Sequence, residues 1–514
     1  MSLLIEVVNA RCRIGRRGML RVDQLAIGAG EHWCLFGPNG AGKTLLANLI
    51  AGRRVESGNY VRYAEDFAPA HDCLLVSFEE QQRLWQRDNR LDISDYSEDA
   101  RDVGTSVRAL VTGARYRAEQ DEADYQALIG QLGLAPLQER GIRFLSSGQV
   151  RRALLARALY GALASPARLL ILDDPLESID RDSRARISAC IEQHRRRGYA
   201  SLHLCRRATD IPTGITHLAL MQGLSLRAQG RADEITGSEA FRLLQAQTPT
   251  LPQRLPRLPE PASASSTGNA RVLIELRDVE AHYGLQRVLS AVNWTMRDDE
   301  HVLIEGPNGC GKSTLLSLID GDNHKGYGQH VVLFGQRKGG GETVWEIKSR
   351  FGVVSNELHN KYIRGWRVLD VVVSGFFDSV GLYDDSGTRE QEQARQWLAA
   401  LGLESLSRHY YEELSFGQQR LVLLARAMAK QPAILVLDEP CVGLDDYHRR
   451  LILALVARIA EELPTRIIYV SHEAGEQPAC ITTRYRFEAV AAGGYTLIKQ
   501  PDKQPDKQPD QPRI

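Results

Sequence analysis

Gly37-Pro38-Asn39-Gly40-Ala41-Gly42-Lys43-Thr44 and Gly306-Pro307-Asn308-Gly309-Cys310-Gly311-Lys312-Ser313 are two copies of one eight-residue pattern in a single chain. Each follows a short apolar run, residues 33–36 and 302–304, and so reads as the turn between a strand and a helix. Glycines at these spacings let backbone N–H groups curl around phosphate oxygens, and the helix N-terminus behind them favours an anion. Lys43 and Lys312 are placed to reach terminal phosphates, and the Thr44 and Ser313 hydroxyls to hold a magnesium ion. A plain glycine turn would satisfy part of this pattern. Two full matches in register argue against it.

Moving outward, each copy is followed by the same succession of segments, repeated at an offset of roughly 270 residues, which marks an internal duplication. Leu145-Ser146-Ser147-Gly148-Gln149 precedes a helix predicted over 150–160, and Leu414-Ser415-Phe416-Gly417-Gln418 precedes one over 419–429. A serine before a helix is by itself an N-cap. Buried strands, read at 167–172 and 433–437, then end in Asp173-Asp174-Pro175 and Asp438-Glu439-Pro440. Asp173 and Asp438 are placed to support magnesium. The next carboxylate, Glu439, is placed to polarise an attacking water, whereas Asp174 is one methylene shorter. Misplacement by about 1 Å can cost roughly a hundredfold in rate, so slower chemistry is expected in the first half.

The halves differ again at the next strand. Ile467-Ile468-Tyr469-Val470-Ser471-His472 ends in an imidazole; Ser201-Leu202-His203-Leu204-Cys205-Arg206 ends in a guanidinium. Arginine can hold phosphate through its forked donors but has no acceptor chemistry. His203 falls inside the strand and reads as structural. Tyr283 is placed to stack on an adenine ring, and Ile14 stands at its counterpart. Asp180 and Asp445 are turn aspartates just beyond the two carboxylate strands.

The pattern is α/β: two P-loop nucleotide-binding domains in tandem, each with a mostly parallel core sheet, flanking helices and a helical subdomain. The expected boundaries are 1–247 for the first domain, 248–270 for a linker rich in proline, serine and alanine, 271–499 for the second domain, and 500–514 for a polar low-complexity tail. A length of 514 residues fits two cores better than one. Lys plus Arg equals Asp plus Glu at 64 each, so net charge gives no support to a nucleic-acid or ribosome partner. Eight scattered cysteines lack the paired spacing of a zinc site or disulfide frame and read as reduced thiols; Cys310, inside a P-loop, reads as a small residue in the place of alanine. The N-terminus lacks a signal-peptide pattern, and no apolar run reaches the roughly 20 residues that span a bilayer. These features predict a cytoplasmic protein whose attachment to an inner membrane would come through a partner.

Taken together, the P-loops, the Leu-Ser-x-Gly-Gln segments and the carboxylate strands resemble those of ABC-type ATPases. Further segments, Gly341-Glu342-Thr343-Val344-Trp345-Glu346-Ile347-Lys348, Ser374-Gly375-Phe376-Phe377-Asp378-Ser379-Val380-Gly381 and Pro478-Ala479-Cys480-Ile481-Thr482, resemble the ModF-like molybdenum-transport or photorepair ATP-binding proteins. The resemblance implies ATP and Mg2+ as ligands, ATP hydrolysis, and head-to-tail closure of the halves. It would place the second P-loop, Tyr283, Glu439 and His472 with Ser146, Gly148 and Gln149, and the first P-loop, Asp174 and Arg206 with Ser415, Gly417 and Gln418. It also implies oxyanion uptake, such as that of molybdate, with separate membrane permease subunits. One departure stands against full likeness. The glutamine that most ABC ATPases carry after an apolar strand is replaced by Phe78, with Glu79, Gln81 and Gln82 nearby, and by Asn356. A soluble ABC protein acting on ribosomes or nucleic acid, and a non-transport ATP-gated regulator, are the competing readings.

Overall fold

The computed structural model describes residues 2–14, 18–53, 60–77, 84, 87–88, 104–113, 118–164, 168–177, 179, 181–196, 198–257, 271–283, 286–321, 323–362, 365–381, 386–473 and 476–501. Phe78, Glu79, Gln81, Gln82, Asp180, linker residues 258–270 and the tail from 502 lie outside the described residues, as does the side chain of Ile14. The chain divides into two compact units: Met1–Pro249 with Gly443–Arg449, and Thr250–Val442 with Arg450–Ile514.

In the first unit the strands are β1 (Leu3–Ile14), β2 (Gly18–Gly28), β3 (His32–Phe36), β4 (Val61–Tyr63), β5 (Cys73–Val76), β6 (Leu169–Asp173), β7 (Ala200–Cys205), β8 (His217–Gln222) and β9 (Ser225–Arg231). Among the described residues they form one sheet in the order β4-β1-β2-β9-β8-β3-β7-β6-β5. The run β8-β3-β7-β6-β5 is parallel, and the rest is joined mainly by antiparallel pairs. Strands buried on both faces are largely apolar, which is why residues 169–172 carry no polar side chain and 200–205 only two, Ser201 and His203, both buried. Because β7 lies between β3 and β6, the loops after these three strands emerge side by side at their carboxyl ends, where open α/β sheets bind ligands.

The second unit repeats this plan. Its strands are β10 (Val272–Tyr283), β11 (Gln286–Arg297), β12 (Val302–Glu305), β13 (His330–Leu333), β14 (Gln336–Arg337), β15 (Phe351–Val354), β16 (Ile434–Asp438), β17 (Arg466–Ser471), β18 (Thr483–Ala489) and β19 (Tyr495–Lys499). The order is β14-β13-β10-β11-β19-β18-β12-β17-β16-β15, with β18-β12-β17-β16-β15 parallel. Here β17 lies between β12 and β16. The predicted parallel core is therefore present in each unit, extended on one side by antiparallel strands.

Helices Val107–Thr112, Ala118–Gln131 and Ser147–Ala164 build the helical part of the first unit around Leu110, Tyr125, Ile129 and Leu154. Val368–Val373, Thr388–Ala400 and Phe416–Met428 do so in the second, with Trp397 fully buried. Residues 250–257 lie along the second unit: Arg458 donates to the carbonyls of Pro252 and Gln253, and Gln431 donates to that of Pro256 at 3.1 Å. No helix among the described residues is long and apolar enough to cross a membrane.

Burial leaves a titration signature. His203 sits in β7 with neither ring nitrogen partnered among the described residues, and burial, then the nearby Arg195 charge, pushes it from 6.5 down to about 3. His359 is pushed to about 3 by burial and by Arg420. Both are neutral in the fold and gain a proton on unfolding once pH falls below 6.5. Stability is therefore full above that pH and declines through the interval down to about 3. At a pH 1.5 units below the unfolded value, each histidine costs about 2 kcal/mol. Urea unfolding near neutrality and at pH 5 is expected to show this loss, and His203→Leu is expected to flatten the pH dependence of the first unit by about that amount. An unchanged slope in the variant would show that His203 does not contribute.

Candidate functional sites

In each unit the P-loop lysine folds back onto its own loop. Lys43 Nζ donates to the carbonyls of Gly37 at 2.6 Å and Pro38 at 3.0 Å; Lys312 Nζ donates to those of Gly306 at 3.0 Å and Pro307 at 3.1 Å. Gly42 and Gly311 stand just before the helices Lys43–Ile50 and Lys312–Asp320 in the left-handed region, at φ 93° and 99°. A side chain there would be strained and would also meet Leu20 or Leu289. Gly40 and Gly309 are left-handed too, and Ala41 and Cys310 are buried beneath the loop. The Cys310 thiol is pushed up by burial, which fits a packing residue better than a reactive one.

Thr44 Oγ1 donates to Asp173 at 2.9 Å and Ser313 Oγ to Asp438 at 3.2 Å, so each hydroxyl and carboxylate converge on one point. Burial, and then the neighbouring Asp174, push Asp173 up to about 6; burial and then Glu439 do the same for Asp438. A pair of carboxylates crowded beside a hydroxyl under this strain fits a divalent cation, whose charge would relieve it.

Asp174 and Glu439 share an unusual backbone. Both are left-handed, at φ 45° and 50°, and both amides donate to the adjacent strand, Asp174 to the Leu204 carbonyl at 3.1 Å and Glu439 to that of Val470 at 3.0 Å. Non-glycine residues in this region cost about 1–3 kcal/mol and persist where surrounding contacts hold them. The strain aims each carboxylate across the end of β7 or β17.

What they meet there differs. Glu439 Oε1 accepts from His472 Nδ1 at 2.9 Å and lies 3.7 Å from Lys312 Nζ. Burial opposes ionisation of Glu439, but the His472 hydrogen bond and charge outweigh it, so its carboxyl is held below the usual range; His472 is raised for the same reason against its own burial. His472 Nε2 is buried without a partner among the described residues. An acceptor carboxylate, a lysine and an imidazole nitrogen thus converge at the second P-loop. Behind them Glu476 Oε1, buried, accepts from Tyr469 at 3.0 Å and Ser471 at 3.3 Å, fixing the strand end that carries His472.

In the first unit Arg206 Nε donates to Asp174 Oδ2 at 2.8 Å, and Nη2 lies 2.9 Å from Glu177 Oε2. The guanidinium that sequence placed for phosphate is engaged by two carboxylates. Glu177 was not singled out from the sequence. Its signal was available, since aligning the halves places Val442 at that position and His472 at that of Arg206.

The helices after the P-loop partners begin at the motif itself, Ser147–Ala164 and Phe416–Met428, about three residues before the predicted starts. Ser146 N donates to Gln149 Oε1 at 2.9 Å and Gln149 N to Ser146 Oγ at 3.3 Å. Ser415 and Gln418 repeat this at 3.0 and 3.3 Å. Each pair is a capping box, which satisfies two donors that a bare helix end would strand; Gly148 and Gly417 are buried in the first turn. Arg420, one turn on, donates to Asn356 Oδ1 and to the Ser355 carbonyl at 3.2 Å, so Asn356 is tied to this helix. Tyr283 is 47% exposed, as a stacking platform requires, and its hydroxyl accepts from Asn323 at 3.1 Å. Asp445 is buried and accepts from His448 at 2.8 Å.

The ABC transporter family profile matches residues 20–177 and 289–442, one match around each P-loop. This chain belongs to the ABC transporter family. It is a tandem ABC ATP-binding protein and an ATP-hydrolysing enzyme by family. The ABC transporter ATP-binding protein ModF of Escherichia coli is 33% identical over 96% of this chain and 99% of that protein. An uncharacterised ABC transporter ATP-binding protein of Schizosaccharomyces pombe is 25% identical, over 94% and 98%. Among solved structures, RNase-L inhibitor matches with a TM-score of 0.57 at 16% identity, covering 95% of this chain and 90% of that one. An archaeal ribosome recycling factor, solved with a ribosomal stalk protein, matches with a TM-score of 0.56 at 16% identity, covering 95% and 89%. These two likenesses concern the fold.

Proposed function

We propose that this ABC protein binds Mg-ATP at two unequal sites, turns it over mainly at the second P-loop, and powers or regulates uptake of a molybdate-type oxyanion with separate membrane subunits. The observation that carries the inequality is the partner of each strained carboxylate: His472 for Glu439, Arg206 for Asp174. In the second unit Glu439 takes the proton of the attacking water as the water oxygen bonds to the γ-phosphorus and the bond to the β–γ bridging oxygen breaks. His472 steadies Glu439 through Nδ1 and presents Nε2 toward the transferred group, and Lys312 leaves its loop carbonyls for the phosphates. Ser313 and Asp438 hold magnesium, which when bound neutralises charge on the phosphate oxygens. Thr44 and Asp173 do so in the first unit, with Lys43 on the phosphates. Tyr283 stacks on adenine, and the capped turns at Ser146, Gly148 and Gln149 and at Ser415, Gly417 and Gln418 offer anion-binding helix starts.

The transport reading rests on full-length likeness to ModF. With no spanning helix among the described residues, the protein would work in the cytoplasm and reach the inner membrane through a permease. Affinity capture of the tagged protein from detergent-solubilised membranes with ATP is expected to recover a permease subunit. Recovery of ribosomes in its place, lost on raising salt, would support the ribosome reading instead; ATP-dependent capture of neither would leave the soluble regulator.

A further inference from the structure

The two halves differ at three places that meet in space. Asp174, Glu177 and Arg206 in the first unit correspond to Glu439, Val442 and His472 in the second. In the first unit the three are joined: Arg206 holds Asp174 through Nε at 2.8 Å and Glu177 through Nη2 at 2.9 Å. Arg151, on the helix Ser147–Ala164, completes the cluster, donating through Nη1 to Glu177 Oε2 at 3.1 Å and to the Asp174 carbonyl at 2.7 Å. All four side chains are at least 85% buried. Arg420 takes the place of Arg151 in the second unit but serves Asn356, and no carboxylate stands at Val442 to brace a cation there.

We propose that Arg206, braced by Glu177 and Arg151, locks the Asp174 carboxylate so that it cannot take a proton from water, which keeps the first site from hydrolysing ATP at an appreciable rate. Distance alone would make Asp174 a poor base; the lock makes it an occupied one. A histidine at this place can share or pass on a proton, whereas a guanidinium stays charged and keeps its hold. Glu177 is the positioning residue: it fixes where the guanidinium lies, and Arg151 keeps Glu177 from being a lone buried charge. The departure from glutamate to aspartate and the departure from histidine to arginine are then one coupled change.

This inference rests on the reading that the second site carries turnover, and the test separates the two. Glu439→Gln is the parent; if it retains wild-type turnover, the unequal-site reading fails. With a silent parent, Asp174→Glu added alone is expected to stay silent, because Arg206 still holds the longer carboxylate. Asp174→Glu with Arg206→His is expected to raise turnover roughly tenfold or more above the parent, within the range a released general base supplies. Asp174→Glu alone matching the double change would show that reach, not the lock, sets the rate. A silent double change that melts and binds ATP like its parent would equally overturn the lock. Should that variant fold poorly, Asp174→Glu with Arg206→Gln removes the clamping charge while Glu177 keeps Arg151 as its partner; turnover above Asp174→Glu alone is expected, and no rise overturns the proposal.

Discussion

Glu439→Gln is expected to lower steady-state ATP turnover at least about a hundredfold while leaving ATP binding in place, the loss typical of a missing general base. The amide keeps the shape of the side chain, so the strained backbone and the contact to His472 at 2.9 Å change little in form. What disappears is the carboxylate that His472 and Lys312 hold ionised. Asp174→Asn is expected to stay within about twofold of wild type, because a carboxylate already engaged by a guanidinium contributes little as a base. Phosphate release with excess magnesium, beside nucleotide binding measured by filter retention, checks both. Equal losses in the two variants would mean that the halves contribute alike.

Gly375→Ala is expected to cost about 3 kcal/mol or more and to disrupt the helical part of the second unit, as overpacking against backbone does. Gly375 lies in the short turn Ser374–Phe376, and a Cβ there would fall 2.1 Å from the Arg426 carbonyl oxygen and 2.9 Å from its carbon. The obstruction belongs to the helix Phe416–Met428, so no rotamer change relieves it. Arg426 cannot retreat easily, because its Nε donates to Tyr362 at 2.8 Å and its Nη2 to the Ser379 carbonyl at 3.0 Å. Gly130 is the control in the same denaturation series. It lies in the helix Ala118–Gln131 with nothing within 4 Å of an added Cβ, so Gly130→Ala is expected to stabilise by about 0.5–1 kcal/mol. A neutral Gly375→Ala would show that the helix can shift.

Close packing also explains why the segment around Gly375 could be noticed in the sequence but not interpreted. Its glycine, serine and aspartate carry no periodic signal; their roles come from residues 47–52 positions away, Arg426 and Lys430. The P-loops, the carboxylate strands and the two-domain plan were legible because each is a local pattern whose physics sits within one turn. The helix starts lie three residues before their predicted places because the N-cap serine and the glutamine three residues on bond reciprocally, so the helix begins at the motif itself. The Asp174–Glu177–Arg206 cluster required the strand order, which brings residue 206 beside 174 by placing β7 next to β6.

The two capping boxes have a thermodynamic consequence. Each ties serine to glutamine before any ligand arrives, with donor distances between 2.9 and 3.3 Å. Conformational freedom at those helix starts is spent during folding, so an incoming anion would meet a surface with little left to order. Binding there should be favoured by preorganisation, and calorimetry of a Gln418→Ala variant should show the deficit as a more unfavourable entropy of association.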